Sequence, residues 1–436
     1  MSGKVTANDI FDKIRTRVRC GDILPGEVLP PVRELATSLR INKNTVANAY
    51  KKLIYAGIAE ANGRKGTSVR QLSNLPPQEG PHPDTVLTDI SGGNPASSMM
   101  LPLQHFLSAA NTTQRLDGAS VINPGLEEFG QSWFAPVVSE QFGLTLTHGT
   151  VDALERLLTG FINKRERVAV EDPCFLGSKN TLLSLGVTPV AIRMDNEGVR
   201  PEELHNALTS GAQAVIITAR AQNPTGFSLS ARRAAEIRAI LAQYPQVLII
   251  IDDHFSLISC REYHNVIPVS SRHWAVIRSF SKFLGPDFRM ALVASDQDTS
   301  LRLKHRLASG THWVSHLLQD IAEAALTSPK VNQHFNTARH YYREKREFFI
   351  REMNKHGLSH CQEGDGINVW LSFTCSCEPI IDGMKNKGWI IRNGNDFSVG
   401  HHSSSVRLTL TTLSTQQISN LAEDLSVTIR QVERRN

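Results

Sequence analysis

Three short segments carry side chains that could work together. They are Asn223-Pro-Thr-Gly226, Asp252-Asp-His254 and Ser279-Phe-Ser-Lys282, with Arg289 seven residues further on. Asn223 and Asp252 are 29 residues apart, and Asp252 and Lys282 are 30 apart. Each segment follows an apolar run, and open α/β sheets bind ligands outside the carboxyl ends of their strands. A fourth segment, Gly149-Thr-Val151, opens a helical pattern, where unpaired backbone N–H groups can hold a phosphate. Singly these are common: Asn-Pro is usually a turn, and Ser-x-Ser-Lys occurs widely. Their order and spacing make them a candidate ligand site.

The elements that must position them alternate. Strand-like runs occur at Arg167–Val170, Thr188–Arg193, Ala214–Thr218, Val247–Asp252, Ala275–Arg278 and Met290–Ala294. Helical spacing separates most of them, as in Val151, Leu154, Leu157, Leu158 and Phe161. This predicts an α/β fold with a mostly parallel sheet. Beyond residue 330 come a long charged helix, strands near Asn368–Phe373 and Val406–Leu410, and a last helix. These predict a smaller α+β part. The expected division is a head at 1–70, a linker at 71–88, a large domain at 89–330 and a small one at 331–436.

The head differs from the body in charge. Residues 1–70 hold 13 Lys and Arg against 6 Asp and Glu, a net of +7; the remainder holds 34 against 36, a net of −2. A basic module of this size suits a polyanion, nucleic acid first, although a solvated surface is the plain alternative. Helical spacing predicts helices at 8–20, around Val32–Leu39, and a third capped by Asn44 with Val46, Ala49, Tyr50 and Leu53 as its apolar stripe. Two short strands, Ile58–Glu60 and Thr67–Arg70, would flank a tip carrying Arg64 and Lys65. Lys43, Asn44, Thr45 and Asn48 would face outward to bond base edges or phosphates in a major groove. Prolines at 76, 77, 81 and 83 break the chain between head and body.

Composition narrows the classes. The chain is 40% hydrophobic and 20% charged, ordinary for a globular protein, and its apolar runs are too short to span a membrane. Six cysteines are too few for a disulfide scaffold, and Cys375-Ser-Cys377 lacks metal-site spacing. The expectation is a reduced cytoplasmic protein with no metal.

Two resemblances sharpen this. The stretch GDILPGEVLPPVRELATSLRINKNTVANAYKKLIYAGIAEANGRKGTSV resembles the winged helix of the GntR regulators over residues 8–70. It implies DNA contacts from Arg33, Lys43, Asn44, Thr45, Arg64 and Gly66. Lys43 stands where that family usually has Arg, which keeps the charge but not the bidentate fork. Residues 89–430 resemble the fold-type I aminotransferases, which bind pyridoxal 5′-phosphate (PLP). The motifs are Val170-Glu-Asp-Pro173, Asp195-x-x-Gly198, NPTG and SFSK. The resemblance implies Lys282 as the Schiff-base lysine and Asp252 on the pyridine nitrogen. It further implies Asn223 on the ring hydroxyl and Phe175 stacked on the ring. Gly149, Thr150, Val151, Ser279, Ser281 and Arg289 would hold the phosphate, and Arg407 an effector's carboxylate. The plainer alternative, less favoured, is that Arg407 is a strand arginine at the surface.

Two departures matter. His254 stands where the enzymes have a tyrosine, and Ala119–Gly125 lacks the tyrosine they lend across a dimer to the phosphate. Both weigh against efficient transamination. A winged helix ahead of such a body resembles the MocR subfamily of GntR regulators. It implies a PLP-binding transcription regulator, usually a homodimer, some members responding to an amino acid on bound PLP and others to PLP itself in control of vitamin B6 genes. With the departure at His254, the expectation is a repressor that binds operator DNA and senses PLP. Two other readings stay open: a working aminotransferase with a DNA-binding appendage, and a regulator sensing an amino acid through bound PLP.

Overall fold

In the head, the computed structural model forms three helices and a hairpin: α1 (Ala7–Cys20), α2 (Val32–Leu39), α3 (Lys43–Tyr55), β1 (Ala59–Ala61) and β2 (Thr67–Val69). It describes residues 5–71, 76–82, 84–102, 104–110, 112–138, 141–358 and 363–434. Thr6 and Asp9 close a capping box on α1, satisfying N–H groups the first turn leaves unpaired. Ile10 and Ile14 of α1 pack with Val46, Ala49, Tyr50 and Leu53 of α3. Between α2 and α3, Arg40 takes a left-handed conformation that turns the chain. The cap of α3 is Asn42, not the expected Asn44: the Asn42 side chain accepts from the Asn44 N–H at 2.8 Å. Extended backbone at Asn42 places its oxygen over that donor, and Asn44 is already helical. β1 and β2 pair antiparallel, with a 3₁₀ turn at Gly63–Lys65 as the tip.

The chain divides into two units, Met1–Pro76 and Pro77–Asn436. The expected linker at 71–88 is therefore too long. From Pro77 its described residues belong to the second unit, where the Gly80 N–H donates to the Gly92 carbonyl. Residues 72–75 and 83 lie outside the described residues.

The second unit is built on one large sheet. After β3 (Thr88–Asp89), its strands are β4 (Gly143–Thr147), β5 (Arg167–Asp172), β6 (Thr188–Asp195), β7 (Gly198–Val199), β8 (Ala212–Thr218), β9 (Leu248–Asp252), β10 (His273–Ser279) and β11 (Ala291–Ser295). The order is β4-β11-β10-β9-β8-β5-β6-β7. The central pairs are parallel; β11 and β7 run against them, and β4, paired antiparallel with β11, runs with them. Strands buried on both faces read as unbroken apolar runs, and Leu248–Ile251 does so. Leu248 and Ile250 enter one core while Ile249 and Ile251 enter the other, as the period of two requires.

The smaller core lies around β12 (Asn368–Ser372), β13 (Trp389–Ile390), β14 (Arg392–Asn393) and β15 (Ser405–Thr409). β12, β15 and β14 form an antiparallel sheet. β13 pairs in parallel with β3, so the first residues of the body are stitched into its last third. The helix Val331–Lys355 serves both cores. Phe335, Ala338 and Tyr342 enter the large one, Phe349 and Met353 the small one. Among the described residues no helix is long and apolar enough to cross a membrane.

Candidate functional site

The carboxyl ends of β8, β9 and β10 converge on a cavity of about 160 Å³. Asn223 follows β8, Asp252 ends β9, and Ser279, Ser281 and Lys282 follow from β10. Gly149, in a left-handed conformation, turns the chain from β4 into the helix Thr150–Phe161 and aims its first turn at the same space. All eleven expected cofactor residues line this cavity: Gly149, Thr150, Val151, Phe175, Asn223, Asp252, His254, Ser279, Ser281, Lys282 and Arg289. Glu79, Gly93, Asn94 and Pro286 complete the wall, and sequence reasoning missed them. Nothing local marks Glu79, one of two acids, with Asp84, in a proline-rich stretch.

The geometry is specific. Lys282 Nζ donates to the Gly93 carbonyl at 3.0 Å. Burial holds its amine below the ordinary lysine range, and Arg407 adds to this while Glu79 and Asp252 oppose it. The His254 N–H donates to Asp252 Oδ1 at 3.0 Å, and His254 Nδ1 lies 3.4 Å from the same oxygen. His254 Nδ1 and Thr150 Oγ1 are buried with no hydrogen-bond partner. Two such polar atoms in one cavity are what a polar ligand would satisfy.

Arg407 on β15 is fully buried. It meets the carboxylate of Glu79 through both terminal nitrogens, at 2.7 Å each, and also donates to Asn223 Oδ1 at 2.9 Å. Asn223 Nδ2 donates back to Glu79 at 3.0 Å. Burial would raise the Glu79 carboxyl, but Arg407, with Lys282 and Asn223, outweighs it and holds the group below the carboxylate range. The surface-strand reading of Arg407 is thus wrong: its guanidinium is enclosed and paired.

Two carboxylates behind the cavity brace the strand ends. Asp253 is fully buried and grips Arg220 through two bonds of 2.9 and 2.7 Å and Arg278 through one of 2.9 Å. Glu171 at the end of β5 accepts from the Thr218 N–H at 2.7 Å and its hydroxyl at 2.8 Å, tying β5 to β8. Burial pushes Glu171 up to about 7. Its folded pKa lies above the unfolded one, so the folded state binds the extra proton. That contribution is complete in acid and is lost as pH rises towards 7. Between pH 5 and 7 the wild type should therefore lose stability relative to Glu171→Gln by about 1.4 kcal/mol per pH unit. Urea unfolding at both pH values reads this; parallel pH profiles would contradict it.

On the head, Arg33, Lys43, Asn44, Asn48, Lys65 and Gly66 are exposed and Thr45 half-buried. Lys43, Asn44, Thr45 and Asn48 all lie in the N-terminal half of α3. The Arg64 side chain lies outside the described residues.

The comparisons agree with this arrangement. Residues 6–69 match the bacterial regulatory proteins of the gntR family, and residues 129–425 match aminotransferase class I and II. The chain is 43% identical to the vitamin B6 salvage pathway transcriptional repressor PtsJ of Salmonella typhimurium, covering 96% of this chain and 97% of that one. It is 20% identical to the probable rhizopine catabolism regulatory protein MocR of Rhizobium meliloti over 80% of this chain and 77% of that one. Among solved structures, the multiple substrate aminotransferase of Thermococcus profundus superposes with a TM-score of 0.72 at 18% identity, over 81% of this chain and 94% of that one. LysN of Thermus thermophilus, complexed with N-(5'-phosphopyridoxyl)-L-leucine, gives 0.70 at 16%, over 80% and 94%. At such identities the structures establish the fold alone. With a GntR head, an aminotransferase class I and II body and a full-length relative of the same build, the chain belongs to the MocR-type GntR transcription regulators.

Proposed function

We propose that this chain is a PLP-sensing transcription repressor acting on vitamin B6 genes. The observation that carries the reading is the convergence of Lys282, Asp252, Asn223 and a set of hydroxyl and guanidinium groups on one cavity, in a chain with a DNA-binding head. The PtsJ relative, a repressor of vitamin B6 salvage by name, supports the choice of effector. The donor set fits the cofactor. Thr150, Ser279, Ser281, Arg289 and the helix start at Gly149 suit a phosphate, an anion that hydroxyls, guanidinium and backbone N–H groups bind well. The unpartnered Thr150 Oγ1 would gain a partner in such a phosphate.

When bound, PLP supplies an aldehyde and an electron-withdrawing ring. The chain's own groups do the rest. Lys282, its pKa lowered by burial, presents an amine free to lose its proton. Asp252 would hold a proton on the ring nitrogen. Asn223 and His254 would bond the ring hydroxyl, and Phe175 would stack on the ring. The head, through Arg33, Lys43, Asn44, Thr45, Asn48, Arg64, Lys65 and Gly66, reads operator DNA. The protein works in the cytoplasm as a homodimer, so that two recognition helices meet two half-sites.

The retained Lys282 and Asp252 favour residual transamination as a second reading, in which an amino acid and a keto acid turn over steadily. The primary reading is tested by absorbance. Purified protein mixed with PLP should develop a visible band that Lys282→Ala lacks while keeping the same melting temperature. No band in the wild type at saturating PLP would overturn it.

A further inference from the structure

A guanidinium offers two parallel N–H donors whose fork matches a carboxylate. Arg407 is the buried guanidinium against this cavity, and its fork is already filled. Glu79 occupies it with both oxygens at 2.7 Å, and Asn223 supports the same carboxylate at 3.0 Å. Glu79 comes from the segment leading into the body, 328 residues away in sequence. The backbone makes room for it: a Cβ at Gly93 would lie 2.6 Å from Glu79 Oε2 and about 3 Å from both Arg407 nitrogens. A side chain there would have to push the Glu79 carboxylate off Arg407, and the positive φ of Gly93 disfavours one in any case, so the pair and Gly93 go together.

We propose that Glu79 is the specificity-determining residue of this pocket, an internal carboxylate that holds Arg407 and so turns away free α-amino acids while leaving PLP free to enter. The proposal rests on the reading of the cavity as a PLP site. A tethered carboxylate competes at an effective concentration in the millimolar range or above. A free amino acid reaching the pocket must displace it, desolvating its own carboxylate and stranding that of Glu79. The groups assigned to the PLP phosphate (Thr150, Ser279, Ser281 and Arg289) do not include Arg407, so the phosphate of PLP meets no such competition; at Asn223 the cofactor would share with Glu79 an amide that has a second N–H to give. An otherwise complete aminotransferase-like site would thereby respond to the cofactor and not to the substrates of the enzymes it resembles.

The test uses the full-length protein as wild type, Glu79→Gln and Glu79→Asp. L-alanine is titrated against each PLP-loaded protein by calorimetry. Wild type should show no binding at several millimolar, and Glu79→Gln should bind at least ten-fold more tightly. Glu79→Asp, which keeps the charge on a shorter stem, should fall between them and serves if Glu79→Gln fails to fold. In parallel, maleate is added to the PLP-free proteins and melting temperature is followed. It should stabilise Glu79→Gln and leave wild type unmoved. Equal L-alanine affinity in wild type and variants, or equal maleate shifts, would overturn the proposal. Loss of PLP binding in the wild type would overturn the cofactor reading instead, and the maleate arm still decides whether Glu79 fills Arg407.

Discussion

Asp253→Asn is expected to cost the body about 3–5 kcal/mol of stability, the range for removing one partner of a buried ion pair. Asp253 is fully buried and neutralises two arginines, Arg220 and Arg278, that are themselves 8% and 3% exposed. Burial already depresses the Arg278 pKa despite the neighbouring carboxylate, so little compensation is in reserve. Asparagine would keep the shape and lose the charge, leaving two guanidiniums in a medium that solvates them poorly. The effect should reach the site, because Asp253 follows Asp252 and its N–H donates to the Ile277 carbonyl of β10. Urea unfolding should show a lower midpoint with an unchanged slope; a loss under about 1 kcal/mol would mean the arginines find other partners.

The second large effect concerns the head. Lys43→Ala/Asn48→Ala should leave it folded, because both side chains are exposed while the α3 core is Val46, Ala49, Tyr50 and Leu53. Removing a base-reading amide costs about 1–3 kcal/mol of affinity and relaxes sequence preference, and removing a phosphate-binding lysine lowers the salt slope by about one. Binding of promoter DNA at several salt concentrations separates the two effects. An unchanged slope with unchanged preference would place the DNA surface elsewhere on the head.

Much of the site was legible because its parts follow the strands. Asn223, Asp252 and Lys282 recur at nearly even spacing since each ends one strand of a parallel sheet whose connections have similar length. The apolar runs of β5, β8, β9 and β10 were plain because burial on both faces fills the middle of each strand with apolar residues and leaves polar ones mainly near the ends. β4 and β7 were missed: one is a margin strand with alternating Thr and Leu, the other only two residues long. The cap on α3 was misplaced by two residues because both Asn42 and Asn44 suit a cap, and only backbone geometry separates them. Glu79 was invisible for a different reason. Its partner Arg407 is distant in sequence, and no periodicity links a linker acid to a strand near the far end of the chain. The extent of the linker was misjudged with it, since the Gly80 and Glu79 contacts that bind the segment to the body are tertiary.

PLP in the body can change DNA affinity only if it favours one arrangement of heads and bodies over another. The coupling is a free energy shared by both ligands, so it can be read from either side. The decisive measurement is equilibrium binding of the full-length protein to DNA from its own promoter, at fixed salt, across a PLP titration, with Lys282→Ala alongside. The account predicts salt-sensitive binding that saturating PLP shifts by roughly 5–150-fold in the wild type and by much less in Lys282→Ala. DNA affinity that is the same at zero and saturating PLP would contradict it.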